Sequence, residues 1–326
     1  MGFRKPSTKK IGLKVLAMGQ TASGKSVFQM SFPKVAALDS EAGLALYEGD
    51  EKYGKNLVMI QNTMSVSEME EAFDDIDEVL EDDPSQISTF SIDSETKFYQ
   101  TLQLSALEVE EKRARRNGKD VMDAGISQRQ WGRIKHVATR LQNLKIDLSA
   151  KGVHVISVSQ VEDVKEKKGD SFVKVGEKPV MAKNAEYDYD IIIHLFKEED
   201  GKGGKKYKGL ILKDRTNVCF DGQIVENPSY EIWKDYYENR SGDKLETNFA
   251  GSVDKVTEAL EKEDLEKEKT IVEKLKDVMS SSPEAQAKAI ELIKEAKIEN
   301  PLQPTANQLK KLEEIVKAVE EEFPKK

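Results

Sequence analysis

The chain has 326 residues, a formal net charge of −9 and 34% charged side chains, which admits one large domain and a small one. No apolar stretch approaches the ~20 residues that span a bilayer, so membrane-spanning classes are excluded. The single cysteine, Cys219, excludes an intramolecular disulfide framework, suits a reducing cytoplasm and reads as a small apolar side chain in a strand.

The N-terminus, Met1 to Lys10, is basic and lacks the apolar core of a signal peptide. Gly2 is a weak acylation signal, because Ser7 falls one place beyond the position such a pattern needs. The apolar run Leu13–Met18 then reads as a strand, and Val27–Met30 as the start of a helix. Between them, Gly19-Gln20-Thr21-Ala22-Ser23-Gly24-Lys25-Ser26 spells G-x-x-x-x-G-K-S. In that strand–loop–helix setting the backbone N–H groups from Gly19 to Val27 would cradle phosphates at a helix N-terminus. Lys25 would reach the β- and γ-phosphates of ATP, and the Ser26 hydroxyl would ligate Mg2+.

Short apolar runs follow at Val35–Leu38, ending at Asp39, and at Leu57–Ile60. Ser65-Val-Ser-Glu68 has capping-box spacing and opens a predicted helix to about Leu80. Ile87–Ile92 is a strand ending at Asp93. Apolar residues at Ile134, Val137, Leu141, Leu144 and Leu148 make a helical stripe over 128–149. Val153–Val158 is a strand running to Gln160. Ile191–Phe196 and Leu210–Leu212 flank a Gly/Lys turn at Gly201–Gly204 and read as a hairpin. The expected fold is therefore α/β, a mostly parallel sheet with helices on both faces and an antiparallel edge hairpin.

Composition changes after Gly242, so the domains are expected at 1–242 and 243–326. The second is a charged helical region: Val253–Met279, a helix opening at Ser282-Pro283, and another at the Thr305–Gln308 capping box. It reads as a solvated bundle, an intersubunit clip or a dock for a partner such as single-strand-binding protein, the first being the plainest.

Three strand ends carry further candidates. Asp93 is either a turn cap or the carboxylate that holds the Mg2+ water shell. Glu41 is either a solvated loop carboxylate or a general base that polarises the attacking water. Gln160 is placed where an amide would sense a γ-phosphate.

Taken in order, Gly19–Ser26, Ala37–Leu44, Ser91-Ile-Asp-Ser94, Ser157-Val-Ser-Gln160 and Leu212-Lys-Asp-Arg215 resemble the RecA family of recombination ATPases over residues 11–240. The resemblance implies a RecA-like P-loop NTPase core with ATP and Mg2+ as ligands. It makes Glu41 the catalytic base, Asp93 the Mg2+-side acid and Gln160 the γ-phosphate sensor. It makes Lys213 and Arg215 cationic fingers on the ATP of a neighbouring copy, and so implies a homo-oligomeric ring or filament. Only a short basic segment precedes the first strand, in place of the N-terminal oligomerisation helix of bacterial RecA. Ile126–Ile134 is closer to phage-encoded RecA-like core ATPases, a group associated with single-strand annealing and phage recombination, which would place the protein in a bacterial host's cytoplasm.

In RecA-like folds two loops face single-stranded DNA. The first is expected here at 112–119, through Lys112, Arg113, Arg115, Arg116 and Lys119. The second is expected after Gln160 as a long loop over 162–184, through Lys165, Lys167, Lys168, Lys174 and Phe172. Acids at Glu162, Asp163, Glu166, Asp170 and Glu177 nearly neutralise that loop. They leave open a plain solvated flap, while the acidic overall balance and the charged tail keep open a rival function, a nucleotide-binding switch or loader that assembles on a protein partner. Tyr187 and Tyr189 are expected to pack, and Trp131 and Trp233 to anchor the core or an interface.

Overall fold

The computed structural model describes residues 6–169, 171–200, 204–245 and 247–323, with the backbone alone for 254, 257–269 and 306. Gly2, Asp170 and residues 201–203 of the expected turn lie outside the described residues. Contacts divide the chain into two compact units, 1–250 and 251–326. The segment after the expected 242/243 change still belongs to the first unit. There the Asp147 carboxylate accepts from the Thr247 hydroxyl and from the Phe249 and Ala250 amides.

The first unit is built on an eight-stranded sheet. In chain order its strands are β1 (Lys14–Gly19), β2 (Val35–Asp39), β3 (Leu57–Asn62), β4 (Thr89–Asp93), β5 (His154–Ser159), β8 (Ile191–Glu199), β9 (Lys205–Asp214) and β10 (Ile224–Glu226). Their spatial order is β10-β9-β8-β1-β5-β4-β2-β3. Strands β1 to β5 and β8 pair in parallel; β9 and β10 extend one edge antiparallel. β1, β2 and β5 are buried almost end to end, as a sheet covered on both faces requires.

Two apolar clusters fill the two faces. One gathers Val15, Phe28, Phe32, Ile193 and Trp233; the other gathers Leu38, Phe73, Phe90, Ile92 and Leu141. The helices are α1 (Lys25–Gln29), α2 (Val66–Asp82), α3 (Glu95–Arg116), α4 (Gln128–Ala150) and α5 (Glu231–Glu238). Ser65 and Ser127 cap α2 and α4 by accepting the Glu68 and Gln130 amides.

Two segments differ from expectation. Most of 112–119 is helix, because α3 runs on to Arg116, so Lys112, Arg113, Arg115 and Arg116 occupy its last turns and Lys119 alone of the five stands in the loop. The long loop after Gln160 is a hairpin of β6 (Val161–Lys168) and β7 (Ser171–Pro179). Cross-strand pairing satisfies the backbone that a bare loop would leave to solvent. Cys219 is buried as expected but in the turn after β9, where its amide donates to Asp214. Trp233 and Tyr189 are buried, whereas Trp131 and Tyr187 are exposed.

The second unit holds most of α6 (Phe249–Met279), α7 (Pro283–Glu295) and α8 (Ala306–Glu322). Its core includes Leu275, Val278, Ala289, Ile293, Leu312 and Val319. Ser282 caps α7, and Thr305 with Gln308 forms both halves of a capping box on α8.

Candidate functional site

The Gly-rich loop leaves the C-terminal end of β1 and turns into α1. A methyl group at Gly19 would lie 2.3 Å from the Leu195 carbonyl oxygen, and Gly24 has φ +93°, so both positions suit glycine. The Tyr207 ring lies against Gly24. The Lys25 ammonium donates to the carbonyls of Gly19 and Gln20 at 2.9 and 2.8 Å. Burial holds its pKa below the usual lysine range, against the pull of Asp93 and Glu41. Ser23 Oγ is buried and has no hydrogen-bond partner among the described residues.

The Asp93 carboxylate faces the start of α1. Its Oδ2 accepts from Ser26 Oγ at 2.9 Å and from Gln29 Nε2 at 2.6 Å, and Gln29 Oε1 accepts from Ser91 Oγ at 2.6 Å. Gln29, three residues after Ser26 on α1, is fully buried and fixes the carboxylate's rotation. Burial pushes Asp93 up to about 6; Ser26 and Gln29 oppose this, and Asp39 and Glu41 add to it.

Asp39 is a loop cap. Its two oxygens accept the amides of Glu41 at 3.0 Å and Leu44 at 2.8 Å, which fixes the loop that carries Glu41. Ser40 donates its amide and its hydroxyl to the Asp93 carbonyl, and its hydroxyl accepts the Ser94 amide. Glu41 Oε1 accepts from Ser94 Oγ at 3.2 Å and from Gln160 Nε2 at 3.3 Å. Thr96 then holds the Gln160 amide at 3.0 Å and donates to the Val180 carbonyl at 2.8 Å. The structure thus brings the Gly19–Ser26 loop, Asp93, Glu41 and Gln160 to one end of the sheet.

These groups fit a nucleotide with Mg2+. The orphaned Ser23 hydroxyl, the glycine-lined loop and the lysine are phosphate-binding chemistry, and Ser26 with Asp93 suits a hard cation. No three His, Cys, Asp or Glu side chains converge as a metal set among the described residues.

Lys213 and Arg215 are elsewhere. Strand register aligns Val15 with Ile191 and Ile191 with Asp214, whereas Gly19 aligns with Leu195 and Leu195 with Gly209. The pair therefore stands at the opposite end of the sheet from the loop of its own chain, about 13 Å of strand away. Lys213 donates to the Tyr187 carbonyl at 3.0 Å, and Arg215 pairs with Asp190 at 3.4 Å.

Both basic elements leave the loop end of the sheet. The β6–β7 hairpin starts at Gln160, and the Val180 amide closes its stem on the Gln160 carbonyl at 2.9 Å. Lys165 pairs with Lys174 and Lys167 with Phe172, so these four side chains share one face. Phe172 is 70% exposed. Lys168 pairs with Ser171 and points to the other face. A bulge at Val175 lets Lys174 reach both Asp163 at 2.7 Å and Glu177 at 2.6 Å. The α3 and α4 helices run antiparallel, since Glu95 bonds Gln142 while Glu110 bonds Ser127. The basic end of α3 therefore projects about 30 Å beyond Asp93. Its cations are partly paired, Lys112 with Glu108, Arg113 with Glu110 and Arg115 with Glu111.

Sequence reasoning missed Ser94 and Gln29 as holders of the acidic residues, and Glu177 as a contact to the loop. Gln29 was signalled only by its i+3 spacing from Ser26 on one helix. Glu177 had no signal, because its partner Gln20 is 157 positions away.

A family model described as an AAA domain matches residues 11–219. Among solved structures, a KaiC-like protein of the hyperthermophilic archaeon Pyrococcus horikoshii OT3 is similar at 18% identity and a TM-score of 0.38, covering 66% of this chain and 85% of that one. No curated protein matches the chain. No helix among the described residues is long and apolar enough to cross a membrane.

Proposed function

This chain belongs to the AAA-domain family, and from that premise we propose that it is an Mg2+-dependent ATPase of the RecA-like type that binds single-stranded DNA as an oligomer, in phage-type recombination or single-strand annealing. One observation carries the reading. The Gln160 side chain donates to Glu41, and its backbone carbonyl closes the stem of the hairpin that bears Lys165, Lys167, Phe172 and Lys174. A single residue joins the candidate base to the candidate DNA arm.

The roles follow from position. The loop amides and Lys25 hold the phosphates. Ser26 and Asp93 would hold Mg2+, which would supply positive charge against the nucleotide phosphates. Glu41, oriented by Ser94 and Gln160, takes a proton from the attacking water. Gln160 exchanges its bond to Glu41 for one to the γ-phosphate, and that exchange moves the hairpin stem. Lys213 and Arg215, remote from their own loop, complete the site of the next copy.

The rival is a nucleotide switch that assembles on a protein partner. It is favoured by the ion pairs that occupy Lys174, Lys178 and Lys112. Fluorescence anisotropy of a labelled dT oligonucleotide, with and without a slowly hydrolysed ATP analogue, separates the two. The ATPase reading expects binding that rises with the analogue. No binding in either state removes it in favour of the switch.

A further inference from the structure

The hairpin meets the phosphate loop directly. Glu177, near the stem on β7, accepts on Oε1 from Gln20 Nε2 at 2.9 Å and from Lys174 Nζ at 2.6 Å, and its Oε2 lies 3.0 Å from His194 Nε2. Its side chain is 13% exposed, although the hairpin around it is largely solvated. Gln20 is the residue whose carbonyl holds the Lys25 ammonium. When Lys25 turns to phosphate it must leave that carbonyl, so the loop adjusts at the residue whose side chain Glu177 anchors. On the same Oε1 that accepts from Gln20, Glu177 also holds Lys174, which it shares with Asp163. A backbone phosphate that takes Lys174 would draw a counterion from Glu177.

We propose that Glu177 is a positioning residue that couples occupancy of the hairpin to occupancy of the phosphate loop, through Lys174 on one side and Gln20 on the other. It deepens the ATPase reading above and rests on it for the identity of the two ligands. The coupling runs both ways, since two sites linked by one free energy affect each other equally. The ligand on the hairpin side is a phosphodiester backbone. His194 on β8 stands 3.0 Å from the other carboxylate oxygen, so Glu177 contacts the sheet as well as Lys174 and Gln20.

The test uses the full chain and two readouts. Titration with a fluorescent, hydrolysis-resistant ATP analogue, with and without a dT oligonucleotide, should give an affinity shift of about fivefold or more in the unaltered chain. In Glu177→Ala the shift should collapse to about onefold, and Glu177→Gln, which keeps an acceptor for Gln20, should restore part of it. Oligonucleotide affinity measured without nucleotide should be kept or rise in Glu177→Ala, because Lys174 is released. A Glu177→Ala chain with the full shift overturns the inference. The second readout needs no DNA: trypsin cleavage at the hairpin lysines should change when the ATP analogue binds the unaltered chain, and should not change in Glu177→Ala. Equal protection in both chains also overturns it. An unaltered chain that binds no oligonucleotide yet shows nucleotide-dependent cleavage lost in Glu177→Ala would sink the DNA reading and keep the coupling.

Discussion

Glu41 and Gln160 lie 119 positions apart and are joined by a 3.3 Å hydrogen bond from Nε2 to Oε1. The bond crosses from the loop after β2 to the end of β5, on either side of the strand that ends in Asp93. It puts the candidate base and the candidate sensor in one contact.

Replacing the base tests that contact. Glu41→Gln should bind ATP normally and hydrolyse it 10²–10⁴-fold more slowly, the usual weight of a positioned base. Equilibrium binding and single-turnover rates read the two effects apart. Gln160→Ala should slow turnover and also weaken the response to DNA, because it removes the amide that contacts Glu41 while leaving the backbone bond from Val180 that closes the hairpin stem.

Asp93 makes the site pH-sensitive. Its folded value of about 6 stands above the unfolded value near 3.8, so the native state binds the extra proton between them. Stability is therefore highest below about pH 4 from this group, falls as pH rises to about 6, and is flat above it. Asp93→Asn removes the buried charge and should stabilise the nucleotide-free protein at pH 7 by about 1–3 kcal/mol in urea unfolding, while abolishing Mg2+-dependent hydrolysis. Protonation of Asp93 competes with Mg2+, so the unaltered chain should lose Mg2+-dependent activity toward acid pH, and added Mg2+ should move that loss to lower pH.

The remote cations predict a concentration effect. Activity per chain should rise as copies associate, and Arg215→Ala should remove the rise without lowering the dilute value. Its pair with Asp190 is solvent-exposed on the arginine side, so unfolding should shift by less than about 1 kcal/mol. Specific activity against protein concentration is the readout.

The hairpin face predicts a salt signature. Changing Lys165, Lys167 and Lys174 together to Ala should weaken single-strand binding and flatten the log–log salt dependence by about 2, from roughly 0.7 per phosphate contact. Phe172→Ala should cost about 1–3 kcal/mol with little change in slope, as expected for a stacked ring. Lys168→Ala, on the other face, should do less than any of the three.

The parts of this architecture that repeat along the chain were legible from it. Apolar runs such as Val35–Leu38 and Val153–Val158 marked buried parallel strands, and Ser65, Ser282 and Thr305 stood at helix starts. The phosphate loop was legible because its glycines and lysine act through local backbone geometry. α3 was not, since its apolar positions make a weak stripe and its basic end read as a loop. The β6–β7 hairpin was masked by its charges: Lys and Glu alternate with Val on strands that are solvated, so no buried face announced them. Glu177 was visible as one acid among several, and its aim at Gln20 came only from the fold. The antiparallel direction of β9 was legible from its Gly/Lys turn, whereas the register that carries Lys213 and Arg215 to the far end of the sheet came only from the fold.

The measurement that bears most directly on the account is steady-state ATP hydrolysis with and without a dT oligonucleotide, beside Lys25→Ala as the blank. The account predicts Mg2+-dependent turnover that the oligonucleotide stimulates and that Lys25→Ala abolishes. Turnover in the unaltered chain that is indifferent to the oligonucleotide would contradict the link from the Gly19–Ser26 loop through Gln160 to the hairpin.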